Sequence, residues 1–290
     1  MSLPLYFLLR LTLSSFRYSE VRRAILINLP LNEDTLDVVI ARARDVDAVT
    51  RKLVFTGLQT RLGHPRQFSI ALREDVVKAG LGDREPAVRA ACGKMLGVWY
   101  DMSLADSQNA EQGDWTGDDA GIMKGLCQFL GFFDVVGPNI AVAADAVASL
   151  LTTRPSLVES FIFNGKRDLS NTPSRRLTCL PEQYWTKLTP ESSALARIFV
   201  EHCVANNKEQ ALESSALPDV TRFALMLQDS YNNLLGKLEE AELLGNDEDD
   251  AREEEIAQRE MILGELLMMA LKLDYGDEIG RRKVFTVVSK

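Results

Sequence analysis

Between residues 83 and 100 the chain reads DREPAVRAACGKMLGVWY: a charged turn, a proline, then apolar side chains at Val88, Ala91, Cys92, Met95, Leu96 and Trp99. Steps of three and four place these six on one face of an α-helix. Asp83 stands where a carboxylate can accept from the free N–H donors of the first turn. Pro86 falls inside that turn, where its missing N–H costs nothing. Weaker versions of the same opening occur upstream as SEVRRAILINL and DVDAVTRKLVF. Aligning their valines superposes Val21, Val49 and Val88, at intervals of 28 and 39 residues, each followed within two positions by arginine. Periods of this length mark stacked helix pairs, because one pair cannot cover its own apolar face. Val46 and Leu53 accompany Val49, and Ala24 and Ile25 accompany Val21. Pro30 cuts the first helix short, and Thr56 and Gly57 interrupt the second.

The second members of the pairs follow from Leu36, Val39, Ile40 and Ala43 and from residues 69–81. DSQNAEQGDWTGDD predicts a polar loop. Helices are expected over 118–133 and 138–151, and a short one between Pro155 and Pro173, leading into a loop with Lys166, Arg167, Arg175 and Arg176. Leu195, Ile198, Phe199, His202 and Cys203 form a further stripe, and a long one runs from Val220 to Leu238. The pattern defines an all-α protein, an α-solenoid of HEAT-like antiparallel helix pairs in an ARM-like superhelix. It divides into an atypical N-terminal segment (1–18), regular HEAT-like repeats (19–104), irregular helical repeats (105–244), an acidic linker (245–255) and C-terminal helices (256–290). The linker assignment rests on GNDEDDAREEE, a charge run of the kind that stays solvated and mobile.

Composition fits: 290 residues with 46% hydrophobic side chains bury a sizeable core. Cys92, Cys127, Cys179 and Cys203 form no CxxC pair, so neither disulfide nor zinc is expected and a reducing compartment fits. The N-terminal run MSLPLYFLLRLTLSSF is interrupted by Arg10, has no charge before it, and falls short of the roughly 20 apolar residues of a membrane span. It reads as a helix packed on an earlier repeat, which makes the chain an interior piece of a longer solenoid, or as an artefact of the gene model.

Charge is uneven. Residues 1–100 hold 15 Lys/Arg against 10 Asp/Glu, whereas the whole chain carries −9. Arginine dominates the basic part and is the side chain best matched to phosphate. A mildly basic solenoid face either holds a nucleic-acid backbone or is simply solvated. Catalytic chemistry is poorly represented. His64 sits in a GHPR turn as a surface residue, His202 lies on an apolar stripe, and no phosphate loop, GxSxG or HExxH is present. Glu33, Asp34, Glu74 and Asp75 fall in first turns of helices, where they complement the dipole. DYGDEIGRR lacks the ligand positions of a calcium loop. No metal or cofactor is expected.

SEVRRAILINL, RARDVDAVTRKLVFTGL, FSIALREDVVKAGLGDREPAVRAACGKML, RRLTCLPEQYWTKLTPESSALARIFVEHC and MMALKLDYGDEIGRRKVF resemble, in this order, successive segments of the condensin G-subunit family. The resemblance runs from about Ser19 to the C-terminus. Its specificity comes from the ordered blocks, since HEAT repeats alone are shared by many scaffolds. Family members are much longer, so the chain resembles an internal portion. The resemblance implies a non-catalytic subunit that binds the kleisin and holds double-stranded DNA in a basic groove, without reading sequence, during mitotic chromosome condensation. ATP hydrolysis then belongs to SMC subunits, contacted only indirectly. Nucleus and chromosome are the implied location, with cytoplasm for part of the cell cycle, and no membrane is involved. A generic scaffold or adaptor would share the repeats but not the blocks beyond residue 170, and an enzyme with its site in the irregular middle is the third class.

The family's DNA contacts are scattered basic side chains without a compact motif, so candidates come from position alone: Arg42 and Arg44 at a helix end, Arg51 and Lys52 beside the Val49 stripe, Arg61 and Arg66 around the GHP turn. In HEAT units the arginine after the valine commonly bonds acids of neighbouring repeats. Arg22 and Arg89 are therefore expected to form a structural ladder with Asp47 and Asp83.

Overall fold

The computed structural model describes residues 18–109, 120–163, 182–208, 217–244, 250–273 and 278–289. Outside them lie the N-terminal run up to residue 17, most of the polar loop after residue 106, the basic loop from Lys166 to Arg176, Cys179 and the first part of the acidic run. The described residues form helices with no strand. These are α1 (Ser19–Asn28), α2 (Glu33–Ala41), α3 (Ala48–Arg61), α4 (Ile70–Leu81), α5 (Pro86–Asn109), α6 (Ala120–Leu130), α7 (Ile140–Thr153), α8 (Pro155–Phe163), α9 (Glu182–Thr186), α10 (Pro190–Ala205), α11 (Val220–Leu244), α12 (Asp250–Ala270) and α13 (Glu278–Val288). Short 3₁₀ turns at Arg42–Arg44 and Pro65–Gln67 join the first pairs.

Alternate helices stack: α1 packs on α3, α3 on α5 and α5 on α7, while α4 lies against α5 and α7. The six apolar side chains of α5 named from sequence are all buried. Trp99 alone, fully covered, is worth about 3 kcal/mol of transfer free energy. Gly80 lets α4 approach this layer: a Cβ there would stand 2.5 Å from Cys92 Sγ and 2.6 Å from Phe55 Cε1. Downstream, α10 packs on α6, α7 and α12, and α11 on α12 and α13. No helix of the described residues is long and apolar enough to cross a membrane.

Caps explain several boundaries. Asn32 accepts from Thr35 N–H and the Thr35 hydroxyl accepts from Asn32 N–H, a reciprocal box that starts α2. Asp47 Oδ2 accepts from both the N–H and the hydroxyl of Thr50 and starts α3. Asp83, expected to cap α5, instead accepts from Glu85 N–H just before that helix begins. Glu74, expected in the first turn of a helix, lies beyond the first turn of α4 and is buried. It accepts from Asp134 N–H and Asn139 Nδ2, tying α4 to the turn between α6 and α7.

Two further features depart from the sequence reading. Val49 is 48% exposed and Val46 is also exposed, whereas Thr50 is fully buried. The true register superposes Val21, Thr50 and Val88, so that Arg22, Arg51 and Arg89 coincide. Thr50 occupies an apolar position because Asp47 satisfies its hydroxyl. The acidic linker ends earlier than expected, since Asp250 to Glu255 are already the first turns of α12. Asp250 and Glu253 complement the positive end of that helix. Glu255 accepts from Arg259 at 2.7 Å and stands 3.4 Å from Lys237 of α11, so part of its charge is matched.

Candidate nucleic-acid interface and the arginine ladder

Each repeat junction in the first hundred residues is closed by an arginine fork. Arg22 of α1 donates from Nε and Nη2 to the two oxygens of Asp45, at 2.8 and 2.7 Å, with both residues buried. Arg51 of α3 donates to Asp83 at 2.6 and 3.0 Å, and its Nη1 donates to the carbonyls of Asp45 and Val46. Arg89 of α5 repeats the second half of that pattern, donating from Nη1 to the carbonyls of Asp83 and Arg84. The acids are themselves held: Asp45 accepts from Asp47 N–H as Asp83 does from Glu85 N–H. A second fork runs alongside, from Arg23 to Asp47 at 2.8 and 2.6 Å.

These forks set the electrostatics. The Arg51 guanidinium, aided by the Glu85 N–H, holds the Asp83 carboxyl below the ordinary carboxylate range against the opposing effect of burial. At Asp45 burial pushes upward, but Arg22 and the Asp47 N–H outweigh it and the net shift is down. Hydrogen bonds from Arg23 place Asp47 well below the usual range.

The sequence candidates fare unequally. Arg51, proposed for phosphate contact, is buried in the ladder and its donors are committed, so it is not a free surface cation. Arg61 is also engaged: it donates to the carbonyls of Leu26 and Leu29, neutralising the C-terminal end of α1. Gly57 makes room for it, since a Cβ there would meet Arg61 Nη2 at 2.5 Å. Arg42 leans on Asp45 at 3.5 Å. Arg66 is largely exposed and 3.6 Å from Asp106. Arg44 and Lys52 are exposed. Of the ladder residues, Arg22 forks onto Asp45 where Asp47 was expected, Asp47 serves Arg23, and Asp83 receives Arg51, a residue assigned to phosphate contact. Arg89 reaches carbonyls and no carboxylate among the described residues.

Sequence reasoning missed Asp45 and Arg23 in the ladder. The signal was present: Asp45 and Asp83 each open a D-x-[DE] triplet six residues before Arg51 and Arg89. It also passed over Arg84 and Lys94, which are exposed on the repeat that follows Arg44 and Lys52. His64 accepts from Arg66 N–H at Nδ1, so its Nε2 carries the proton and donates to Asp106 at 3.2 Å. His202 is half-buried, and burial followed by the nearby Lys208 lowers its pKa.

Stacked helix pairs joined by repeated arginine–aspartate forks define a HEAT-type α-solenoid segment. No family model matches the chain. It is 30% identical over 266 residues to condensin complex subunit 3 of Schizosaccharomyces pombe, covering 92% of this chain and 24% of that protein. It is 27% identical over 277 residues to condensin complex subunit 3 of Saccharomyces cerevisiae, covering 93% and 22%. Among solved structures it is similar to the S. pombe condensin Cnd3–Cnd2 subcomplex, with a TM-score of 0.74 and 28% identity, over 100% of this chain and 32% of the matched one. The chain is thus a relative of condensin complex subunit 3 and spans about a quarter of the length of these curated relatives.

Proposed function

We propose that the chain is a segment of a non-catalytic HEAT subunit of condensin that binds the kleisin and lies against double-stranded DNA without reading its sequence during mitotic chromosome condensation. The observation that carries this reading is the match over the whole chain to a solved condensin subcomplex of two components, at 28% identity. The kleisin is the partner that the resemblance implies for such a segment, and SMC ATPase subunits are then reached only through it. Its place is the nucleus and the chromosome, and the cytoplasm for part of the cell cycle.

The chemistry supports a scaffold. Burial pushes the Cys92 thiol to about 12, so it is no nucleophile at neutral pH. Arg44, Lys52, Arg84 and Lys94, exposed on consecutive repeats, are among the exposed cations that a phosphate backbone can meet.

Co-expression of the chain with a kleisin tests the partner. Co-elution through gel filtration is the expected result. Failure to co-elute, with equal retention of unrelated helical partners, favours a generic adaptor instead.

A further inference from the structure

A guanidinium does not shed its charge on burial, so one withdrawn from water needs an anion or a full set of acceptors. Arg73, in the first turns of α4, is 6% exposed. Among the described residues none accepts a hydrogen bond from its side chain, and its Nε is fully shielded without a partner. Its close neighbour is the ring of Phe132, 5.8 Å from the guanidinium carbon to the centroid. Arg66 approaches the same ring at 5.7 Å. Burial and then the charge of Arg66 both disfavour charged Arg73, and only Glu74 acts in the other direction. Glu74 makes no bond to it; its two oxygens accept from Asp134 N–H and Asn139 Nδ2. Asp106, the acid beside Arg66, meets His64 Nε2 at 3.2 Å and Arg66 at 3.6 Å through a single oxygen. Three separate segments thus bring two cations to one aromatic ring: the turn at His64–Gln67, the start of α4 and the turn after α6.

We infer that Arg66 and Arg73 form a binding site for a carboxylate, completed by an acidic side chain of a partner polypeptide that enters beside Phe132. Arg66, whose side chain is 62% exposed, forms the mouth, and Arg73 the floor. A carboxylate fits the fork of a guanidinium. Depth selects polypeptide over nucleic acid: a phosphate fixed to a wide, stiff duplex does not descend to a group that water hardly reaches, whereas a glutamate on an extended segment does. The site stands apart from the duplex and kleisin readings, and either can fail without it.

The test uses the whole chain, a labelled peptide of alternating glutamate and serine, its glutamine analogue, and a duplex. Arg73→Met keeps the volume of the stem and removes the charge. The wild-type chain is expected to bind the glutamate peptide about tenfold more tightly than the glutamine one, the scale of a charge-assisted fork. R73M is expected to abolish that preference while melting no lower than wild type, because an uncompensated buried charge has gone. An R73M chain that melts lower and keeps the preference overturns the proposal, since Arg73 is then satisfied within the fold. Loss of duplex binding with the peptide preference intact also overturns it, in favour of a phosphate site. Should R73M fail to fold, the Arg73 Nε–H resonance of the wild-type chain decides: it shifts on adding the glutamate peptide, and no shift refutes the site.

Discussion

Arg51 divides its donors between Asp83, one repeat ahead, and the carbonyls of Asp45 and Val46 behind. Removing it leaves a buried carboxylate unpaired, which costs about 3 kcal/mol or more, whereas an exposed arginine on a phosphate-binding face would cost almost nothing in stability. Arg51→Met should therefore lower the urea midpoint strongly, and adding Asp83→Leu should recover much of the loss. Additive losses in the double variant would show that the fork is not the coupling. The pH dependence has a defined sign. Asp83 is held below its unfolded value, so the fork's contribution is present above the ordinary carboxylate pKa of ~4 and is lost as pH falls through the folded value. The stability gap between wild type and R51M should narrow below about pH 4, and a constant gap down to the acid transition would contradict the pairing. This residue also shows what sequence withheld. Hydrophobicity favours Val49 for the buried position, but Thr50 occupies it because a carboxylate three residues back satisfies its hydroxyl, a compensation that no apolar periodicity registers.

At the scale of elements, the period-3.6 stripes made most helices legible, from the six buried positions of α5 to the stripe of α10. Charge was the less reliable guide. The acids from Asp250 to Glu255 look like a solvated linker in composition, yet acids are favoured in the first turn of a helix, and Arg259 and Lys237 meet Glu255. Backbone N–H groups from Glu254 onward have carbonyl partners one turn back, so hydrogen exchange should slow from that residue. Rapid exchange as far as Ile256 would restore the linker. The apolar stripe of α12 does not end in the core either. Leu271, Phe285, Val288 and Met268 stay exposed around a groove of 610 Å³ between α12 and α13. A hydrophobic dye should bind the folded chain there, and Phe285→Glu should reduce its fluorescence while leaving the melting temperature nearly unchanged. An unchanged signal would place the dye elsewhere.

The whole molecule joins a basic N-terminal part to an acidic remainder, and the ladder decides how much of that basic charge is available. Arg22, Arg23, Arg51 and Arg61 are spent on acids and helix ends, so the count of arginines overstates the field that a partner meets. This is why the candidate interface was only partly legible: a cation's type is written in the sequence, but its partner across a repeat junction is set by packing. If duplex binding occurs as proposed, it rests on exposed cations such as Lys52 and Lys94, on neighbouring helices α3 and α5. Each phosphate neutralised contributes roughly −0.9 to the slope of log affinity against log salt. Reversing Lys52 and Lys94 to glutamate should weaken duplexes of unrelated sequence alike and flatten that slope by about 2, with the urea midpoint nearly unchanged because neither side chain is part of the ladder. R51M, by contrast, should lose binding only where it has lost folding. Selective loss for one sequence would refute backbone holding, and an unaltered slope would move the interface away from α3 and α5.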